Sequence, residues 1–243
     1  MGGHQLHYRQ RGQGPDVVLL HGLASSIATW DLLSPELERD HRVLAFDLRA
    51  HGESGSPPGP WTLDDLSADL RALLDASGIE AASLVGHSGG AVIALHFALA
   101  HPQRVRGLVL CSAAAEANAR AARWYEDMAR KAESSGGASI LADLGWPPDS
   151  CAPDGAGFAH AARCMATLHP SPLTPRLSEL RRPVTILVGS RDFIGPGGSV
   201  RMQRAITGSK LEILEGLGHH LHLEDPEGFA ARVRAALAAA TDG

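Results

Sequence analysis

The chain has 243 residues, 44% of them hydrophobic, which is enough to bury one large core or two small ones. Its formal net charge of −5 is spread over interspersed acidic and basic residues, which excludes the clustered basic face of a nucleic-acid binder. Residues 1–10 lack the apolar core of a signal peptide, and no run reaches the roughly 18 apolar residues of a membrane span, so a cytoplasmic protein is expected. The cysteines Cys111, Cys151 and Cys164 are odd in number and show no CxxC spacing, so neither a disulfide framework nor a zinc site is expected.

Short apolar, β-branched runs at residues 17–20, 42–46, 82–85, 105–110, 184–188 and 211–214 read as strands buried on both faces. Helical patterns alternate with them. Residues 63–77 put Leu63, Leu66, Leu70, Leu73 and Leu74 on one face, with Thr62 and Asp65 as a capping box and Gly78 as the stop. Residues 89–100 are apolar on nearly every side, as a helix packed on a sheet should be, and 229–239 form the last helix. The alternation predicts an α/β fold with a doubly wound, mostly parallel sheet.

One interval breaks the pattern. Residues 113–180 carry a helix at 118–134, a Pro- and Gly-rich passage at 146–157 and a shorter helix near 158–168, with no strand. They read as a cap inserted over the carboxyl edge of a single domain spanning 1–243, because the sheet resumes at Pro183.

Residues 86–90, Gly-His-Ser-Gly-Gly, follow the strand at 82–85 and open the apolar helix. A G-x-S-x-G in that strand–turn–helix setting makes Ser88 a candidate nucleophile. The tight turn needs glycines two residues either side, and it lifts the hydroxyl over a helix N-terminus that favours negative charge. A serine needs a base and a group to orient it. The 184–188 strand runs into Gly189-Ser190-Arg191-Asp192 and the 211–214 strand into Glu215-Gly216-Leu217-Gly218-His219, so the chain order is Ser88, Asp192, His219. His219 is favoured over His220 and His222 because it directly follows Gly218 after a strand, and Glu116 is the alternative acid. The spacing of His219, His220 and His222 matches no helical metal-ligand pair, so no metal is expected.

With His21-Gly22 after the first strong strand, the 47–54 segment after the second, and Glu224 to Glu227 after Gly218-His219, the chain resembles the α/β-hydrolase superfamily. The resemblance implies an oxyanion hole built from the backbone N–H groups of Leu23 and Gly89. It also implies a serine hydrolase of small carboxylic esters or lactones with no cofactor, partly similar to 3-oxoadipate enol-lactonases. Carbon–carbon bond hydrolases, perhydrolases and non-catalytic binding members share the scaffold and stand as alternatives.

Trp30, Trp124, Tyr125, Trp146 and Phe158 are the aromatic candidates for a substrate pocket, with His220 beside them. His87 is expected to point away from the site and support the turn. His21 and His51 are expected to orient loops, His96 to be a satisfied core histidine, and Asp47 and Glu53 to build a structural turn.

Overall fold

The computed structural model describes residues 4–146 and 153–241; Cys151 and residues 147–152 of the expected Pro- and Gly-rich passage lie outside them. Seven strands form one sheet: β1 (Tyr8–Arg11), β2 (Asp16–Leu20), β3 (Arg42–Phe46), β4 (Ala82–His87), β5 (Val105–Cys111), β6 (Val184–Gly189) and β7 (Lys210–Leu214). Their spatial order is β1-β3-β2-β4-β5-β6-β7, and only β1 runs antiparallel to its neighbour. All five residues of β2 and all six of β4 are buried, because helices cover both faces.

The helices are α1 (Ser34–Leu37), α2 (Leu63–Ala76), α3 (Gly89–Ala100), α4 (Ala119–Ser135), α5 (Gly155–Ala166), α6 (Pro196–Ala205), α7 (Leu221–Glu224) and α8 (Pro226–Thr241). Alternate residues of each strand feed opposite cores. Val18, Leu44 and Leu84 pack with Leu66 and Leu70 of α2 and Val92 of α3, whereas Val17, Val43 and Val85 pack with Leu37 of α1 and Phe229 and Val233 of α8. The Thr62–Asp65 capping box at the start of α2 forms as expected, with Asp65 N–H donating to Thr62 Oγ1 at 3.2 Å and Thr62 N–H to Asp65 Oδ2 at 2.8 Å.

Strand β1, helix α6 and the one-turn helices α1 and α7 were not anticipated. Strand β1 has the sequence YRQR and lies at the sheet edge, where polar residues are tolerated and no hydrophobic run marks it. Helix α6 begins Pro-Gly-Gly, a poor helical composition; Gly198 is required there because a Cβ would press on Ala114 of the loop after β5. Helices α4 and α5 pack on each other across the carboxyl edge of the sheet, and no strand intervenes between β5 and β6 among the described residues. Within the same residues no helix is long and apolar enough to cross a membrane.

Candidate active site

Every candidate catalytic group sits on a loop leaving the carboxyl end of a strand, where an open α/β sheet offers its crevice. Ser88 links β4 to α3 with φ 52° and ψ −117°, a conformation costly for any residue but glycine. Its N–H donates to Cys111 O at 2.8 Å, which ties the turn to β5. The flanking glycines are needed for close approach. A Cβ on Gly90 would collide with the carbonyl oxygens of Leu20 and His21, and one on Gly86 with the backbone of Ala91.

His219 and Asp192 meet as a buried pair. His219 Nδ1 lies 2.9 Å from Asp192 Oδ1, with the Asp192 side chain wholly shielded from solvent. The same oxygen accepts the Ile194 N–H at 2.8 Å, fixing the carboxylate in its turn. Ser88 and His219 line one small pocket together with Leu23 and His220. The Glu116 carboxylate lines the larger cleft beside Ser88 and has other partners than His219. It pairs with Arg201 at 2.6 Å and accepts from Thr174 Oγ1 at 2.7 Å.

The expected oxyanion donors lie side by side. Gly89 opens α3, so its N–H has no intrahelical partner. A Cβ on Gly89 would stand 3.6 Å from the Leu23 nitrogen, which brings the two backbones together beside Ser88. The Leu23 loop is held from three directions. His21 Nδ1–H donates to Gly22 O at 2.8 Å while its Nε2 accepts the Leu48 N–H at 3.0 Å. Trp146 Nε1–H donates to Leu23 O at 3.1 Å. Further along, the Ile27 N–H donates to the buried Asp47 carboxylate at 2.7 Å, and the Glu53 N–H and His7 Nδ1 approach its other oxygen at 3.0 and 2.8 Å.

Four histidines crowd the site. Although expected to point away from the site, His87 turns toward the candidate base: its Nε2–H donates to the carbonyl of His219 at 2.9 Å. Burial and the neighbouring His222, His219 and His220 push its pKa well below the ordinary range. His222 is held at about 3 by burial, with its Nε2 2.6 Å from Thr29 Oγ1. His220 is lowered mainly by burial, and its Nε2–H donates to Leu144 O at 3.0 Å. These rings are therefore neutral hydrogen-bonding parts at neutral pH. Among the described residues no group of three or more His, Cys, Asp or Glu side chains is arranged to hold a metal ion.

Two cavities open on Ser88. The pocket on the His219 side, walled by Trp146, Leu144 and His220, has only about 20 Å³. On the other side, beneath α4, a cleft of about 600 Å³ runs past Gly89, Val92 and Ala113 to Asn118 and Arg120. Trp124, Tyr125 and Phe193 belong to both. Burial raises the Tyr125 phenol to about 12, with the Asp192 charge adding to the effect.

Of the expected pocket residues, Trp124, Trp146 and His220 do line these cavities, and Trp30 does not. Trp30 is fully buried on the far side of the sheet, where its ring stacks on Phe229 and meets His222, because its loop packs down against α7 and α8. Phe158 is likewise a core residue. His96 is half-buried rather than a core residue; its Nε2 meets the exposed Asp64 carboxylate at 2.7 Å and its Nδ1 has no partner. Sequence reasoning missed Leu144 and Phe193. The Phe193 ring lies 4.2 Å from that of His219, and its position directly after Asp192 was the available signal. Leu144 carried none.

The family model described as the alpha/beta hydrolase family matches residues 17–232. An uncharacterized protein of Mycobacterium tuberculosis is 29% identical, over 93% of this chain and 76% of its own length. Among solved structures, an enol-lactonase from Burkholderia xenovorans LB400 superposes with a TM-score of 0.89 at 25% identity, covering 98% of each chain. A thermophilic esterase from Thermogutta terrifontis matches with a TM-score of 0.89 at 27% identity, over 98% of this chain and 94% of its own.

Proposed function

Because the chain belongs to the alpha/beta hydrolase family, we propose that it is a serine hydrolase that cleaves small carboxylic esters or lactones through Ser88, His219 and Asp192. The observation that carries this reading is the strained Ser88 sharing a pocket with a histidine whose far nitrogen is held by a fully buried carboxylate. The solved neighbours named as an enol-lactonase and an esterase support the same bond class.

In the proposed mechanism His219 takes the Ser88 proton as Oγ attacks the carbonyl carbon. Asp192 keeps the Nδ1–H tautomer and stabilises the imidazolium that forms. The N–H groups of Leu23 and Gly89 receive the oxyanion, whose charge exists only in the transition state; one such donor is typically worth about 100- to 1,000-fold in rate. His219 then gives its proton to the leaving oxygen, and water, activated by the same imidazole, releases the acid from Ser88. This chemistry calls on no metal or organic cofactor.

Labelling with a fluorophosphonate probe tests the reading. Wild type should label and Ser88→Ala should not, and a turnover panel of esters, enol-lactones and vinylogous diketones should show ester or lactone cleavage. A wild-type protein with a native circular dichroism spectrum that fails to label would sink the proposal.

A further inference from the structure

The two cavities beside Ser88 differ about thirtyfold in volume, and the tetrahedral geometry of acyl transfer assigns a substrate part to each. The attacked carbon bears four groups: Ser88 Oγ, the oxyanion, the leaving oxygen and the acyl carbon. The oxyanion points to the Leu23 and Gly89 amides. The leaving oxygen must stand within hydrogen-bond reach of His219, since that imidazole protonates it. His219 and Leu23 line the small pocket and not the large cleft, whereas Gly89 and Val92 line the cleft and not the small pocket, so the oxyanion stands at the boundary between the two. The acyl carbon is left with the direction of the cleft.

We propose that this enzyme takes esters divided unequally, with a methyl-sized alcohol in the pocket beside His219 and a longer, mostly apolar acyl group in the cleft beneath α4. The proposal rests on the ester reading above and narrows it. The step balances simply. The Ser88 O–H proton passes through His219 to the leaving alkoxide, the carbonyl–alkoxide bond breaks, and the small alcohol departs as the Ser88 ester forms. Water then adds in its place and the acid is released.

The size of the small pocket suits both halves of that cycle. A volume of about 20 Å³ is just above the roughly 10–15 Å³ that admits one water. After the alcohol leaves, the space beside His219 therefore fits the single water that deacylation needs. The walls around it are fixed rather than loose. Trp146 is tied to Leu23 O, its ring lies 4.1 Å from that of His220, and His220 is tied in turn to Leu144 O. The cleft is of ordinary ligand-site size. Its lining near Ser88 includes Val92, Ala113 and Leu168, so a short aliphatic chain can be buried there, although Glu116, Arg120, Asp143 and Arg201 also line the cleft.

The test compares two isomers, methyl pentanoate and butyl acetate, which share one formula and differ in which side of the carbonyl is long. Release of acid by the purified full chain is followed in a pH-stat, with fluorophosphonate labelling of Ser88 measured on the same sample. Methyl pentanoate should have the larger kcat/KM, by about 10- to 100-fold, since each buried methylene contributes about fourfold and three change sides. Leu144→Ala, which widens the small pocket while keeping the backbone carbonyl that His220 uses, should shrink that ratio by raising turnover of the butyl ester. Equal rates, the reverse order, or labelling of Ser88 without turnover of either isomer overturns the division. Failure of Ser88 to label instead removes the parent reading.

Discussion

The buried carboxylate of Asp47 is the junction on which the Leu23 loop depends, and removing it should cost both stability and turnover. Its side chain is 2% exposed and receives the Ile27 N–H, the Glu53 N–H and His7. Hydrogen bonds to a charged group are worth about 1.5–3 kcal/mol each; the Ile27 N–H is buried and would be left unpaired, and the Glu53 N–H is part-buried. His7 is partly exposed and can turn to water, so its loss counts for little. Asp47→Ala should therefore lower the unfolding free energy by about 3–6 kcal/mol, a large share of the ~5–15 kcal/mol of a typical domain. Asp47→Asn keeps an acceptor for one of the two amides but presents an N–H to the other, so about half that loss is expected.

Urea denaturation followed by tryptophan fluorescence, extrapolated linearly, measures the stability term. Steady-state kinetics on the folded Asn variant measures the other. Because Ile27 anchors the loop bearing the proposed oxyanion donor Leu23, kcat should fall while KM holds, as expected when a contact made in the transition state is loosened. A loss below about 1 kcal/mol for Asp47→Ala, on the scale of a single exposed hydrogen bond, would refute the reasoning. So would an Asn variant with undiminished kcat.

Histidine burial sets an acid limit. His21 and His222 are held at about 3 and His51, His87 and His220 are also lowered, against an ordinary value of 6.5. The unfolded chain thus binds more protons below pH 6.5, so stability is full above that value and declines as pH falls toward 3, by about 1.4 kcal/mol per unit for each such proton. Urea midpoints should drop steadily between pH 6.5 and 4.5, before most carboxylates titrate; a flat profile there contradicts the assigned burial. Trp146→Phe keeps the ring but loses the bond to Leu23 O, so kcat should fall about fivefold with little change in melting temperature. An equal loss in a binding constant for a non-reacting ester analogue would point to pocket shape instead. Ser88→Gly should end labelling yet raise stability by about 1 kcal/mol, because it relieves a positive φ. A destabilised glycine variant would mean the elbow is not strained.

The parts of the fold legible in the sequence were those whose burial forces a pattern. Strands β2 and β4 announce themselves because both faces are covered, and α2 because a leucine stripe and a capping box coincide. Edge strand β1 gave no such signal, since solvent tolerates Tyr8, Arg9, Gln10 and Arg11. Ser88, Asp192 and His219 were nameable because glycine punctuation and strand ends mark them. Trp30 was misplaced because aromatic identity does not say which side of the sheet a loop packs against. His87 was misjudged for a similar reason: its role is a hydrogen bond to a residue 132 positions away.

That contact indicates how the chemistry and the selectivity are separated in this chain. Each proposed reacting group is fixed by a neighbour that does not react: His219 by Asp192 and by His87 through its backbone, and Leu23 by Trp146 and His21. Most of these braces are buried between the sheet and its own loops, where a one-methylene change is felt. The surfaces that decide what enters come largely from elsewhere. Trp124 and Tyr125 are on α4, and Leu144 and Trp146 follow it before α5. Among the cap residues Trp146 belongs to both sets, walling the small pocket and tying Leu23. A change at the cap that spares Trp146 should therefore shift substrate preference at nearly constant labelling of Ser88, whereas a change at Trp146 should move both.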